Sequence, residues 1–350
     1  MPPPFAVTGA SGFIGSWVVK LLLERGETVH ATVRSLTDKS KVEHLQAIAN
    51  ESKSTLRLFE AELHDSEGYR KAFDTCQVVL HIASPFKVQG VNNPVKDIVE
   101  PAVSGTRNVL DAVSRSASVK RVVVTSSVAA IHCDAADHPE QALNESLWNE
   151  TASETYQPYS FSKTQAERLA WQMAETQSQW SLVTINPSFV LGPSLSNRVD
   201  ATSVDLMLQM VDGRAKRGLP DLRLGVVDVR DVAMAHVLAA TLPDAQGRHI
   251  VSKQVVGLPE IAERLRGIYA DRYPIPQSTV PKALMYVFGP LMGFSIRYVK
   301  RNVGVPFSID NGKSMQALGL NYRPLEQTLK DSIDQLESMG LISANRKSHG

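Results

Sequence analysis

The sequence is short of cysteine, of net charge and of long apolar runs, and each shortage excludes a class of protein. Only two cysteines occur, Cys76 and Cys133, with no C-x-x-C and no Cys/His spacing of a zinc site. Two such thiols fit a reducing compartment rather than a disulfide-built scaffold, and no metal site is expected. Lysine plus arginine number 37 against 36 aspartate plus glutamate, a formal net charge of +1. No overall field therefore draws the chain to nucleic acid or to a membrane. The one conspicuous apolar run, Ala283 to Ile296, is broken by Gly289, Pro290 and Gly293. It falls short of the roughly 20 residues that span a bilayer. We read it as a buried or substrate-lining helix pair, with core packing ahead of a pocket roof and both ahead of membrane contact. Met1-Pro2-Pro3-Pro4 enters Phe5 without the basic start and apolar stretch of a secretion signal, so a cytoplasmic protein is expected. What remains is a monomer or homodimer whose partner is a small molecule.

The informative stretch is Phe5-Ala-Val-Thr-Gly-Ala-Ser-Gly-Phe-Ile-Gly15. An apolar β-like run leads into Gly9, Gly12 and Gly15, and then into the helical spacing of Ile14, Trp17, Val18, Leu21 and Leu22, which ends at Gly26. A strand, a glycine turn and a helix N-terminus in that order form an anion site. Glycine lets the backbone approach a pyrophosphate, and the unpaired helical N–H groups with the positive dipole end attract it. The spacing is G-x-x-G-x-x-G, not the commoner G-x-G-x-x-G. A second strand over 28–33 ends at Arg34, where an acidic residue would select NAD by bonding the ribose 2′-hydroxyl. A cationic fork there suits a 2′-phosphate, so NADP is the expected cofactor, with Lys41 as a second contact.

Further strands are expected over 56–60, 77–82, 120–125 and 182–185, and helices over 94–116 and from Tyr159 to about 176. Short strands at 226–229 and helices at 232–240, 259–269 and within 320–341 follow. Strands alternating with helices imply an α/β doubly wound parallel sheet. Residues 1–186 form its nucleotide-binding part, 225–240 return to it, and 187–345 make mostly a smaller C-terminal substrate-binding lobe. His236 and His249 have no spaced partners suggesting metal, and residues 345–350 read as a frayed tail.

The fifth strand ends in Thr125-Ser126-Ser127, and Tyr159-Ser-Phe-Ser-Lys163 opens a later helix. Residues four apart share one helical face, so the Tyr159 hydroxyl and the Lys163 ammonium can meet at one spot. A tyrosine of ordinary pKa is a poor acid–base group at neutral pH. A neighbouring ammonium, together with a positively charged nicotinamide ring, is expected to lower that value, letting Tyr159 protonate a carbonyl oxygen while a strand-end Ser127 stabilises its charge.

These stretches, with Val33-Arg34-Ser35, His81-Ile82-Ala83-Ser84-Pro85, Ile185-Asn186-Pro187-Ser188 and Val227-Asp228-Val229-Arg230-Asp231-Val232-Ala233, resemble the extended short-chain dehydrogenase/reductases. The resemblance lies with the branch of dihydroflavonol reductases, cinnamoyl-CoA reductases and microbial NADPH-dependent aldehyde and ketone reductases. It implies a Rossmann fold, NADP(H), and Ser127 (not Ser126), Tyr159 and Lys163 as catalytic residues. The implied cofactor contacts are Thr8, Gly9, Ser11, Gly12, Phe13, Ile14 and Gly15 at the loop, and Arg34 and Lys41 at the 2′-phosphate. Glu62 and Leu63 would meet adenine. Ile82, Ala83, Ser84, Thr125, Lys163, Pro187, Ser188 and Val190 would follow toward the nicotinamide. Pro85, Phe86, His132 and Phe189 are the implied substrate contacts.

The chain departs from that pattern at Glu62, where the family usually has aspartate, and at His132, where plant dihydroflavonol reductases have asparagine. Tyr156-Gln157-Pro158-Tyr159 also differs from the run in plant cinnamoyl-CoA reductases. The expected activity is therefore general: hydride transfer from NADPH to the carbonyl of a hydrophobic aldehyde or ketone. A hydroxysteroid dehydrogenase or sugar-nucleotide epimerase is opposed by Arg34. A non-catalytic NADP sensor is opposed by the retained Ser127, Tyr159 and Lys163.

Overall fold

A β-branched run that must bury both its faces can do so only inside a sheet covered on two sides. Val29–Val33, buried at every position, sets that architecture from the start. The computed structural model describes residues 2–84, 93–196 and 202–343. The first half alternates β1 (Phe5–Thr8), α1 (Phe13–Glu24), β2 (Val29–Val33), α2 (Lys39–Ser52), β3 (Leu56–Glu60), α3 (Ser66–Phe73) and β4 (Val78–His81). A π-helical turn, Val95–Val99, then feeds α4 (Glu100–Ser114), followed by β5 (Arg121–Thr125), α5 (Pro158–Glu175) and β6 (Ser181–Pro187). The second half runs through β7 (Phe189–Leu191), α6 (Thr202–Val211), β8 (Leu219–Pro220), β9 (Arg223–Asp228), α7 (Val229–Thr241), β10 (Gly247–Val251) and β11 (Gln254–Gly257). It closes with α8 (Leu258–Tyr269), β12 (Thr279–Val280), α9 (Lys282–Phe288), α10 (Ile296–Asn302), α11 (Gly312–Ala317) and α12 (Leu325–Ser338).

Seven strands form the main sheet in the order β10-β6-β5-β4-β1-β2-β3, and every neighbouring pair is parallel. The winding reverses between β1 and β4, which opens a crevice at the carboxyl ends of those strands. Helices α1, α2 and α7 cover one face through Val18, Leu22, Leu45 and Val237, all buried in one cluster. Helices α3, α4 and α5 cover the other through Phe73, Val109, Leu110 and Ala170. A second apolar core, around Leu191, Met207, Met210, Ile261, Leu265, Leu329 and Ile333, joins α6, α8 and α12 to the small sheet β11-β9-β7.

The expected strands and helices recur within a few residues of their sequence bounds. Several elements carried no such expectation, among them α2, α3, β7, α6, β11, α11 and β10, the last of which adds a seventh strand to the main sheet from well beyond residue 186. The helix expected over 94–116 opens instead as the π-helical turn before α4.

The apolar run 283–296 is neither core nor pocket roof. Met285 and Gly289 are buried, whereas Val287, Leu291 and Met292 are 65%, 85% and 64% exposed, and Leu284, Phe288 and Ile296 are exposed too. The reason is length. α9 has seven residues and stops at Gly289-Pro290, so the Met285 side reaches the second core and the rest faces outward. Among the described residues no helix is long and apolar enough to cross a membrane.

Two buried histidines lock strand ends. His236 Nδ1 donates to the Val232 carbonyl at 2.7 Å, so its Nε2 accepts from the Thr125 hydroxyl at 2.7 Å. His81 Nδ1 lies 2.8 Å from the Thr8 hydroxyl, which itself accepts from Ile82 N and Ala83 N at 3.1 Å each. That hydroxyl proton therefore points at His81. Burial holds His81 down to about 3 and His236 to about 4. Below pH 6.5 the unfolded chain binds protons that these folded imidazoles refuse, so stability is lost as pH falls from about 6.5 toward 4. From pH 7 to pH 5 each histidine should cost about 2 kcal/mol. Urea unfolding at the two pH values checks this: His236→Gln should lose about 2 kcal/mol less than the parent on acidification, and an equal loss would refute it.

Candidate cofactor and active site

The crevice at the β1/β4 reversal is a cleft of about 820 Å³ whose walls come from both halves of the chain. Its floor is the β1–α1 turn. Gly9 has φ +65°, and a Cβ there would lie 2.8 Å from Ala83 Cα; a Cβ at Gly15 would lie 2.2 Å from the Gly9 carbonyl oxygen. Both positions exclude a side chain, so the turn can press against the end of β4 while Thr8 clamps Ala83 from beside it. No side chain caps α1 and no acid stands in its first turn, so its free N–H groups and dipole present a positive field where Ser11, Gly12, Phe13 and Ile14 line the cleft. That cradle fits the pyrophosphate of a dinucleotide. Arg34 lines the same cleft at the end of β2 and Glu62 and Leu63 line it after β3, with Arg34 and Glu62 exposed. Together they offer a cation and a polar rim where the adenosine end would lie.

The cleft's other end holds Ser127, Tyr159 and Lys163. Ser127 and Tyr159 are hydrogen-bonded through their hydroxyls, and Ser127 Oγ also accepts from Ala129 N at 3.1 Å. The next serine back is turned elsewhere: the Ser126 hydroxyl donates to the buried carboxylate of Glu167. Lys163 Nζ donates to Ser84 Oγ at 2.9 Å and lies 5.9 Å from the Tyr159 ring centre. Removal from water lowers the Lys163 ammonium to about 8, and the negative charge of Glu167 works against that fall. In the chain by itself, desolvation raises the Tyr159 phenol to about 12, with only the Ser127 hydrogen bond pulling downward. Lys163, spent on Ser84, is not close enough to reverse this. Tyr159 is thus a protonated phenol at neutral pH, the form that can give a proton.

Glu167 is the residue that the sequence did not single out. It lies on α5 one turn beyond Lys163, on the same face, and is 1% exposed. Its two oxygens accept from Ser126 of the β5 end, from Asn186 Nδ2 of β6 at 2.7 Å and from Arg248 Nε of β10 at 2.7 Å, and Thr184 Oγ1 lies 3.1 Å away. Asn186 Nδ2 reaches the Ser127 carbonyl as well, at 3.2 Å. Arg248 in turn lies 3.9 Å from the Trp148 ring and donates to the carbonyls of Glu145 and Leu147. The extended spacing Tyr-x-x-x-Lys-x-x-x-Glu was the available signal, since each step of four keeps one face.

Beyond the acid–base cluster the cleft is walled by His132, Cys133, Phe189, Tyr298 and Phe307. The His132 and Phe307 rings sit 5.1 Å apart, and burial holds His132 below its usual range, hence neutral. The loop bearing His132 is fastened by buried Asp134, which accepts from Tyr156 Oη at 2.8 Å, Asn302 Nδ2 at 2.7 Å and Arg301 Nε at 2.6 Å. Tyr298, Asn302 and Phe307 carried no sequence signal because they are brought in from α10 and the segment after it.

Of the expected site residues, the structure brings Gly9, Ser11, Gly12, Phe13, Ile14, Gly15, Arg34, Glu62, Leu63, Ile82, Ala83, Ser84, Thr125, Ser127, His132, Tyr159, Lys163, Pro187, Ser188, Phe189 and Val190 around this one cleft. Thr8 is buried behind it as the clamp on Ala83, and Lys41, in the first turn of α2, does not line it. Pro85 and Phe86 lie outside the described residues.

The profile of the NAD dependent epimerase/dehydratase family matches residues 5–252, so the chain belongs to that family. Within it the chain is an extended short-chain dehydrogenase/reductase, an oxidoreductase, as its relatives indicate. It is 34% identical over 334 residues to cinnamoyl-CoA reductase CAD2 of Medicago truncatula, covering 95% of this chain and 94% of that protein. It is 35% identical over 339 residues to tetraketide alpha-pyrone reductase 1 of Arabidopsis thaliana, covering 96% of each. A crystal structure of the yeast methylglyoxal/isovaleraldehyde reductase Gre2 complexed with NADPH superposes with a TM-score of 0.79 at 28% identity, covering 97% of this chain and all of that one.

The Glu167–Arg248 pair generates a stability prediction. Arg248→Met leaves Glu167 charged and buried without its cation, so it should cost about 3–5 kcal/mol in urea unfolding. A loss under about 1 kcal/mol would show that the pair does not hold α5 to the sheet.

Proposed function

We propose that the chain is an NADPH-dependent reductase that delivers hydride to the carbonyl of a hydrophobic aldehyde or ketone, and runs the alcohol oxidation in reverse. The observation that carries the proposal is the Ser127–Tyr159 hydroxyl pair at one end of a cleft whose other end carries the glycine cradle and Arg34. The NADPH-bound yeast reductase and the plant reductases named above support the same reading. Bound NADPH would supply the hydride. Gly9 to Gly15 and the N-terminus of α1 hold the pyrophosphate, and Arg34 holds the 2′-phosphate by charge. Ser84, Thr125, Pro187, Ser188 and Val190 line the inner end of the cleft and orient the nicotinamide half.

The chain's own chemistry is proton delivery. Tyr159, protonated at neutral pH, gives its hydroxyl proton to the carbonyl oxygen, and Ser127 donates a hydrogen bond to that same oxygen as charge develops on it. The Lys163 ammonium, charged below about pH 8 and donating to Ser84, is placed to hold the nicotinamide ribose. His132, Phe189, Tyr298 and Phe307 give the substrate side an apolar, aromatic character. We infer further that the sheet carries the cofactor and the second core carries the substrate walls. Two free cysteines, Cys76 buried and Cys133 half-buried, support a cytoplasmic setting.

Tyr159→Phe should lower turnover by about 10²–10⁴-fold, in NADPH oxidation assays over aromatic aldehydes, keto esters, diketones and acyl-CoA thioesters. NADPH binding, followed by its fluorescence, should be kept; undiminished turnover refutes the proton-donor role. Activity confined to thioesters would replace the carbonyl class. Arg34→Asp should weaken NADPH binding by about 10–100-fold and improve NADH relative to it, measured as the ratio of the two kcat/KM values. An unchanged ratio would remove Arg34 from the 2′-phosphate.

A further inference from the structure

The apolar face of α9, α10 and the turn between them belongs to neither core and to no part of the cleft. Leu284, Val287, Phe288, Leu291, Met292 and Ile296 are all exposed within a few turns of one another. An exposed apolar patch of this size on a folded domain marks a contact. The charge around it selects the partner. From Arg272 to Ile309 the sequence contains no aspartate or glutamate, in a chain with 36 acidic residues among 350, and it carries Arg272, Lys282, Arg297, Lys300 and Arg301. Arg297 and Lys300 are exposed on α10, and Lys282 starts α9. Of the carboxylates paired with this segment, Asp134 and Asp137 are held by Arg301 and Glu337 by Arg272, which leaves Lys282, Arg297 and Lys300 as the cations of the rim.

We propose that this elbow docks on an anionic membrane surface, its leucine, valine, phenylalanine and methionine side chains entering the headgroup boundary while Lys282, Arg297 and Lys300 meet lipid phosphates. An apolar stripe rimmed by cations and free of acids is the pattern of a helix lying in the interface plane. A second copy of the chain fits less well. In a two-fold pair this segment would meet itself, setting cation against cation with no carboxylate in the segment to answer. α10 also lines the cleft through Tyr298 and Asn302, so docking would bring the cleft close to the bilayer without covering the β1–α1 turn.

The test is sedimentation of the full chain with vesicles of phosphatidylcholine alone and of phosphatidylcholine with about 30% phosphatidylserine. Binding is expected only with the anionic vesicles and should fall at high salt. Lys300→Gln should weaken it about fivefold, the factor equivalent to about 1 kcal/mol per cation at such a surface. Phe288→Asp with Leu291→Asp should abolish it while leaving NADPH binding and turnover unchanged, which also shows that the variant folds. Equal partitioning onto both vesicles, or none onto either, overturns the proposal. So does a dimer in solution that Leu291→Asp dissociates, because the patch would then be covered by a second copy.

Discussion

A single buried carboxylate fixes the chemistry of this protein to its scaffold. Glu167 has no access to water, and a charge so placed is tolerated only if every lone pair is answered. The answers come from three strands: Ser126 at the end of β5, Asn186 and Thr184 on β6, and Arg248 on β10. Satisfying them fixes the roll of α5 on the sheet. Because Tyr159 and Lys163 stand two turns and one turn earlier on that same face, fixing the roll also aims their side chains at Ser127 and Ser84. The carboxylate does a second job through space, since its charge opposes the fall that burial imposes on the Lys163 ammonium.

The parallel sheet, its glycine turn and the Ser/Tyr/Lys set were legible because local periodicity and spacing determine them. β1, β2 and β5 are short β-branched runs; Gly9, Gly12 and Gly15 sit between a strand and a helix; Tyr159 and Lys163 are four apart. What escaped depends on partners far along the chain. Arg248 reads as one charged residue in a mixed stretch, and only its pairing with a glutamate from α5 ties the edge strand β10 to the helix that carries Tyr159. α2 was hidden because its face is weakly apolar, three buried residues in fourteen. The weight of burial at Tyr159 escaped as well. Spacing reveals that a cation is near a phenol, but not that the ammonium is turned to Ser84 or that burial outweighs it. The run 283–296 was misjudged because apolar composition predicts burial only when something is present to bury it.

The two ends of the cleft are built by opposite means. The glycine end is backbone: glycines without side chains, helical N–H groups, and one strand end held against another by the Thr8 hydroxyl. The aromatic end is side chain, with the loop carrying His132 and Cys133 fastened to α10 by Asp134, Asn302 and Arg301. Backbone recognition leaves little room for variation in what is bound, whereas an aromatic wall on a fastened loop can change its lining without disturbing the cradle. This division explains how relatives named for cinnamoyl thioesters, tetraketide pyrones and small aldehydes share one extended framework with this chain.

The position of β10 carries a consequence for how the protein is made. Its strand comes 81 residues after the carboxylate it neutralises and only after β7, β9 and α7 have been laid down. On the ribosome, β1 through β6 can assemble while Glu167 has only the hydrogen bonds of Ser126, Thr184 and Asn186 and still lacks its cation. The seating of α5 is therefore completed late, when Arg248 has emerged and can enter from the sheet's open edge. A ribosome stalled before that point would display the six-stranded parallel sheet with Glu167 of α5 held by hydrogen bonds alone.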